Sequence, residues 1–258
     1  MPRFAANLSF LFTELPFLDR FAAAAKAGFR GVEFMFPYAF AADDIAARLE
    51  ANGLELVLFN LPPGHWDKGE RGYAALPGRE DEFASAVDLA LGYAERLGCP
   101  RLHAMAGLAD HGANRETYVQ NLKLAAQWAA PARVEILIEP INTRDIPGYF
   151  LNRAGEARDI IADVGEANLR LQLDLYHRHV MEGDVAGAIA EFAPLVAHYQ
   201  CASPPDRGEP DHGDIDYREA FGLIDATGYG GWIGCEYKPR AGTEAGLVWA
   251  KNLGLRLG

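Results

Sequence analysis

Glu139, Asp174, Gln200 and Glu236 each fall at or beside the end of a short apolar run, in VEILIEP, LRLQLDL, VAHYQC and WIGCEY. Three carboxylates and one amide oxygen, if they converge, make an oxygen-rich socket for a hard divalent cation. Gathered without one, the three anions would repel each other. An amide oxygen suits Mg2+ or Mn2+ better than Zn2+, which prefers nitrogen and sulfur. One such ion is therefore the expected cofactor. Successive members of the set are 35, 26 and 36 residues apart, about one strand-plus-helix unit each. Strands at that pitch can lie side by side in a parallel sheet, and their C-terminal ends then share one mouth.

Further candidates cluster around the same ends. His177 follows Asp174 in DLYH and could hydrogen-bond a substrate hydroxyl or add a ligand. Arg207 offers a planar fork of donors suited to a carboxylate or hydroxyl. Glu33 and Asn60 close the second and third strand-like runs and would line the mouth. Trp66 and Arg71 lie in a Gly- and Pro-rich connection, 61–79, too long for a simple turn. A second long connection, 202–213, carries Arg207, Glu209 and His212. Both follow strands, so both would overhang the mouth, the first as a lid that excludes water from a small substrate. Cys201 and Cys235 flank ligand candidates but have no evident base partner, which argues against a thiol nucleophile.

The elements that must hold these residues alternate along the whole chain. Strand-like runs are read at 4–9, 31–36, 54–60, 101–105, 134–140, 169–175, 195–201 and 231–237. Between them lie amphipathic stretches such as Phe17, Leu18, Phe21, Ala25 and Phe83, Val87, Ala90, Leu91, Ala94, Leu97, at helical spacing. Eight such units in 258 residues predict an α/β fold, a (β/α)8 TIM barrel occupying residues 1–258 as one domain. The rival is an open doubly wound sheet. That fold usually carries a glycine-rich phosphate turn after its first strand, and here the turn reads NLSFLF. Composition narrows the partners. The net charge is −12, unfavourable for a nucleic-acid backbone. No run of 18 apolar residues exists, so no membrane span is expected. Three scattered cysteines without CxxC spacing fit a reducing cytoplasm. Assembly as a homo-oligomer is left open.

With these residues placed, the chain resembles the hydroxypyruvate isomerase family of xylose isomerase-like barrels, which includes 2-oxo-tetronate isomerases. The resemblance runs over essentially the whole length. It is carried by RFAANLSFLF, AGFRGVEFMFPY, NLPPGHWDKGERG, LPGRE, LIEPIN, IPGYFL, LQLDLYH, RGEP, GDIDY and GWIGCEYKP. It implies one divalent metal on Glu139, Asp174, Gln200 and Glu236, with Glu139 and Glu236 as the proton-transferring pair. It also implies that His177 and Arg207 bind substrate. The expected reaction interconverts hydroxypyruvate, a small hydroxy-keto acid, and tartronate semialdehyde through an enediolate. The oxidation is internal, so neither NAD nor a flavin is expected. The same chemistry on 2-oxo-tetronate is the close alternative. An apurinic endonuclease would want more metal ligands and a basic groove, and a non-catalytic sugar-acid binding protein would not need both glutamates.

Overall fold

Eight short strands run parallel and close on themselves in sequence order. They are β1 Arg3–Asn7, β2 Gly31–Phe34, β3 Glu55–Asn60, β4 Arg101–His103, β5 Glu135–Ile138, β6 Leu169–Asp174, β7 Val196–Cys201 and β8 Trp232–Cys235. The computed structural model describes residues 2–257. The expected barrel is the observed one, and every predicted strand contains an observed strand or overlaps it. Most strands are shorter than their apolar runs: β5 stops at Ile138 and β8 at Cys235. Glu139 and Glu236 are the next residues, at the mouth, and the Glu236 amide still bonds the Cys201 carbonyl of β7.

The main helices are α1 Arg20–Lys26, α2 Ala42–Asn52, α3 Glu80–Leu97, α4 Arg115–Ala129, α5 Ala154–Val164, α6 Leu175–Glu182, α7 Val185–Phe192 and α8 Tyr217–Ala226. The chain ends on two short ones, α9 Thr243–Gly246 and α10 Val248–Asn252. The one-helix-per-strand pattern breaks after β6, where α6 begins directly after the strand's last residue and α7 follows. No helix among the described residues is long and apolar enough to cross a membrane.

Outward side chains of the strands pack against the helices. Phe4, for example, meets the rings of Phe221 and Trp249 edge-on at 5.1 and 5.2 Å. Inside the barrel, a separate buried apolar cluster includes Ala5, Leu137 and Trp232. Ala5 and Leu137 stand two residues before Asn7 and Glu139, so by the period of two they share an inward face. Gly31 makes room for Trp232, since a Cβ there would lie 2.8 Å from the indole ring.

The 61–79 connection is seated on the mouth. It holds a 3-10 turn at Trp66–Lys68 and an antiparallel bridge between Gly72 and Ala106. Ala74 and Ala75 donate to the carbonyls of Met105 and Ala106. Glu70 accepts from the His65 amide at 2.6 Å and pairs with Arg79 at 2.9 Å. The Arg71 guanidinium stacks on Trp66 at 3.9 Å, and Trp66 packs on Phe36. Gly72 is the tight point: its φ is +88°, and a Cβ would come within 2.3 Å of the Met105 carbonyl oxygen. Gly72→Ala should therefore loosen this segment by at least about 1 kcal/mol. Limited trypsinolysis at Lys68 and Arg71 should accelerate about fivefold or more. An unchanged cleavage rate would mean that the bridge does not hold the segment down.

Candidate active site

Each central side chain is aimed by a local feature. Glu139 follows β5 and precedes Pro140, which ends the ladder. Asp174 ends β6 and is also the N-cap of α6, its Oδ1 accepting from the Tyr176 amide at 2.7 Å. That bond fixes the carboxylate and leaves Oδ2 facing the barrel axis. His177 comes one helical turn after Asp174, so its Nε2 lies 3.7 Å from Asp174 Oδ2 and 3.8 Å from Glu139 Oε1. Gln200 sits beside Asp174 in the β6–β7 register. Its amide donates to Glu236 Oε2 at 2.7 Å and to Glu33 Oε1 at 2.8 Å. Asn7 donates to the same two carboxylates, each at 2.9 Å. Arg207, held at φ +58° in the 202–213 connection, closes the network. It bonds Glu236 Oε1 and stands 3.7 Å from both Asp174 Oδ2 and Asp145 Oδ2.

Of the four residues expected to hold a metal, Gln200 and Glu236 are bonded directly, and Arg207 stands between Glu236 and Asp174. Glu139 makes no hydrogen bond to the other three among the described residues, and Glu236 lies outside the cluster close enough to share an ion. Carboxylate or imidazole atoms of Glu139, Asp174 and His177 all lie within 4.8 Å of one another. Asn142 decides what His177 offers. The Asn142 Oδ1 accepts from the Asp145 amide, so its NH2 faces His177 Nδ1 at 2.6 Å. Nδ1 must then accept, and a neutral ring carries its proton on Nε2. His177 thereby presents a donor, suited to a substrate oxygen, between Glu139 and Asp174.

Burial sets the charge states. Glu139 is pushed well above the ordinary carboxylate range by desolvation, then by Glu236 and Asp174. Desolvation raises Glu236 to about 8 and Asp174 to about 6, in each case with Arg207 pulling the other way. Burial works against charge on Arg207, but Glu236, Asp174, Glu139 and Asp145 outweigh it and hold the guanidinium protonated. Burial also keeps His103 neutral, lowered to about 3, and drives His177 well below the usual imidazole value.

A divalent cation fits this donor set. Glu139 Oε1 and Asp174 Oδ2 are buried and have no hydrogen-bond partner among the described residues. Gln200 Oε1 accepts from Gln172 at 2.7 Å and keeps one lone pair. Three carboxylates share a single guanidinium, so the site is short of positive charge.

A cavity of about 420 Å³ opens above the network. Of the sequence candidates it is lined by Glu139, Glu236, His177, Arg207, Asn60, Trp66 and Arg71, while Asp174 and Gln200 stand behind that wall. Glu33 is the correction. It was expected to line the mouth, but it is buried deeper in the barrel and pairs with His198 Nε2 at 2.6 Å, Gln200 and Asn7. Its inward direction from β2 points it at Gly234, where a Cβ would fall 2.3 Å from its carboxylate. Glu33 positions Gln200 rather than touching a ligand. Sequence reading missed His103, Gln172 and Lys238, all in the cavity wall. Gln172 precedes Asp174 by two residues, and Lys238 follows Glu236 by two.

The family model described as the xylose isomerase-like TIM barrel matches residues 21–253. The chain belongs to this family. It is 55% identical to the 2-oxo-tetronate isomerase of Cupriavidus necator, over 97% of this chain and 98% of that protein. It is 46% identical to the hydroxypyruvate isomerase of Escherichia coli, over 96% and 98%. A crystal structure named for an AP endonuclease of family 2 from Brucella melitensis superposes with a TM-score of 0.95. That chain is 50% identical, and the match covers 98% of this chain and 99% of that one. Within the xylose isomerase-like family the chain stands with the hydroxypyruvate and 2-oxo-tetronate isomerases and is an isomerase.

The charge states carry a stability prediction for the cation-free protein. A carboxyl with a raised folded pKa stabilises fully below its unfolded value, and that contribution is lost as pH rises through the folded value. The buried neutral histidines act in the opposite sense, but only below their unfolded value of about 6.5. From pH 7 to about 8.5 the Glu236 contribution, with a folded value of about 8, should dominate. The Tm measured in EDTA should fall across that window, and Mg2+ should flatten the fall. A Tm that rises there would contradict the protonated state assigned to the buried glutamates.

Proposed function

We propose that this isomerase is metal-dependent and moves the carbonyl of a short 2-oxo-3-hydroxy acid between C2 and C3. The observation that carries the reading is the pair Glu139 and Glu236. They come from different strands, face one cavity, and are both held toward protonation by burial. A group that must take a proton from carbon and another that must return one to the adjacent carbon need such raised affinities near neutral pH.

The chain's residues then divide the work. Glu139, Asp174, Gln200 and Glu236 would hold Mg2+ or Mn2+. When bound, that ion would stabilise negative charge on the substrate's adjacent oxygens. Lys238, exposed at the cavity edge with no ion-pair partner among the described residues, supplies a cation for the substrate carboxylate. The Nε2–H of His177 donates to a reacting oxygen. One glutamate removes the C3 proton, leaving an enediolate, and the other protonates C2. The hydroxyl proton passes from O3 to O2, so atoms balance without a redox cofactor. Arg207 holds Glu236 in register, and the Trp66–Arg71 wall keeps water from the enediolate.

Hydroxypyruvate and 2-oxo-tetronate undergo the same step and differ by one hydroxymethyl group. The sequence reading placed hydroxypyruvate first. The higher identity to the Cupriavidus enzyme and a cavity of about 420 Å³ favour the four-carbon acid. With Mg2+ supplied, kcat/KM for 2-oxo-tetronate should exceed that for hydroxypyruvate. The opposite order returns the three-carbon acid to first place.

Glu139→Gln and Glu236→Gln should each keep the barrel's circular dichroism and lower kcat by about 10²–10⁴-fold. Chelation should abolish turnover, and Mg2+ or Mn2+ should restore it. Turnover that survives both substitutions would remove these glutamates from proton transfer.

A further inference from the structure

His103 lines the cavity, is only 1% exposed, and has no hydrogen-bond partner for either ring nitrogen among the described residues. Its nearest polar neighbour recorded is Glu139 Oε2, 3.6 Å from Nδ1 and beyond hydrogen-bond reach. Gln172 Oε1 is likewise buried and unpartnered. Both residues line the cavity and flank Glu139, since they stand on β4 and β6 on either side of β5. A buried polar group left unpaired is destabilising, so three such atoms in one wall call for something to bond them.

Gln200 orients Gln172. The NH2 of Gln200 donates to Glu33 Oε1 and Glu236 Oε2. The oxygen of Gln200 then faces Gln172 and requires its NH2 at 2.7 Å. The Gln172 oxygen is left for the cavity. The wall therefore offers one imidazole N–H donor, one bare imidazole nitrogen and one amide oxygen. A carboxylate, which only accepts, would meet two acceptors and one donor there. A hydroxyl, which donates and accepts, matches. Of the cations in the wall, Arg207 is engaged by Glu236, and Arg71 by the Trp66 ring and two backbone carbonyls. That leaves Lys238, after β8, the strand opposite β4 in the closed barrel order.

We propose that His103 and Gln172 form a hydroxyl-recognising subsite that takes the non-reacting terminal hydroxyl of a four-carbon 2-oxo acid, with the carboxylate directed toward Lys238. This deepens the isomerase reading and rests on it. It makes the terminal hydroxyl, absent from hydroxypyruvate, a determinant of substrate choice. Losing one such bond reduces kcat/KM about tenfold.

The test compares 2-oxo-tetronate with 2-oxo-3-hydroxybutanoate, which has the same carbon chain but no terminal hydroxyl. In the Mg2+-loaded enzyme, His103→Leu should lower kcat/KM for 2-oxo-tetronate about tenfold or more, chiefly through KM. The deoxy acid should change by less than about threefold. His103→Gln, which restores a donor and an acceptor, should recover much of the preference. The Tm of His103→Leu should be unchanged or higher, because the substitution removes unpaired polar atoms and no hydrogen bond. Equal losses on both acids, a lowered Tm or a weakened Mg2+ affinity would make His103 structural or metal-linked and overturn the proposal. Unchanged kinetics would mean that the wall binds only water, with the same consequence. Calorimetric binding of erythronate, which has the hydroxyls but no carbonyl to isomerise, separates the two readings. Should the wild type bind it in a His103-dependent way yet turn over neither acid, the subsite stands and the isomerase substrate assignment falls.

Discussion

Charge compensation inside a closed barrel is the constraint on which the rest of the site depends. Glu33, Glu139, Asp174 and Glu236 all lie inside one eight-stranded barrel, Glu33 deepest, and Arg207 is the guanidinium inserted among the last three. Carboxylates so far from water cannot all stay ionised without more positive charge. The protein answers in three ways at once. It raises the proton affinity of Glu139, Asp174 and Glu236, it pairs Glu33 with His198, and it leaves two carboxylate oxygens bare. The first supplies acid–base groups near neutral pH, and the last is what a divalent cation requires. Catalytic capacity and electrostatic tension are one arrangement seen from two sides.

That arrangement needs orientation as well as proximity, and amides provide it. Asn7 and Gln200 each bridge Glu33 to Glu236, so neither carboxylate turns independently. Asn142 fixes the tautomer of His177 by the same logic. Below them, Trp232 and its apolar neighbours fill the barrel, so water has no route from beneath. Low local dielectric strengthens each of these bonds. A side chain at Gly234 would strike the Glu33 carboxylate, so even an absent Cβ belongs to the network.

The fold was legible because eight apolar runs at a regular pitch leave few architectures, and missing a glycine-rich first turn removed the main rival. The convergence of Glu139, Asp174, Gln200 and Glu236 was legible for a related reason: charges that end apolar strands have one shared place to go. Glu33 was read by the same rule and placed too high, because strand position alone does not show how far the sheet tilts and staggers before a side chain meets the axis. His103 looked like an ordinary residue within RLHAM. Counting by twos along each strand would have found more. Gln172 shares a face with Asp174, His198 with Gln200 and Lys238 with Glu236, and each proves to be part of the site or its support. His103 has no such companion, since its significance lies in bonds it does not make.

Unmade bonds are where stability and function separate in this molecule. Most buried polar atoms here are satisfied within the chain, as native proteins require. Those left open on Glu139, Asp174, His103 and Gln172 come from three consecutive strands, β4 to β6, or the turn just after one of them. Open atoms also remain on Arg101, His198, Tyr199, Ser203 and Glu209, none of which lines the cavity. On the proposed reading, the open atoms of the β4–β6 arc form the part of the pocket completed by a cation and a hydroxyl, and Lys238 across the mouth marks the part that receives an anion. A molecule carrying a carboxylate at one end and adjacent oxygens at the other satisfies both halves, and only in one direction. On the proposed reading, polarity of the wall, more than its shape, orients the substrate.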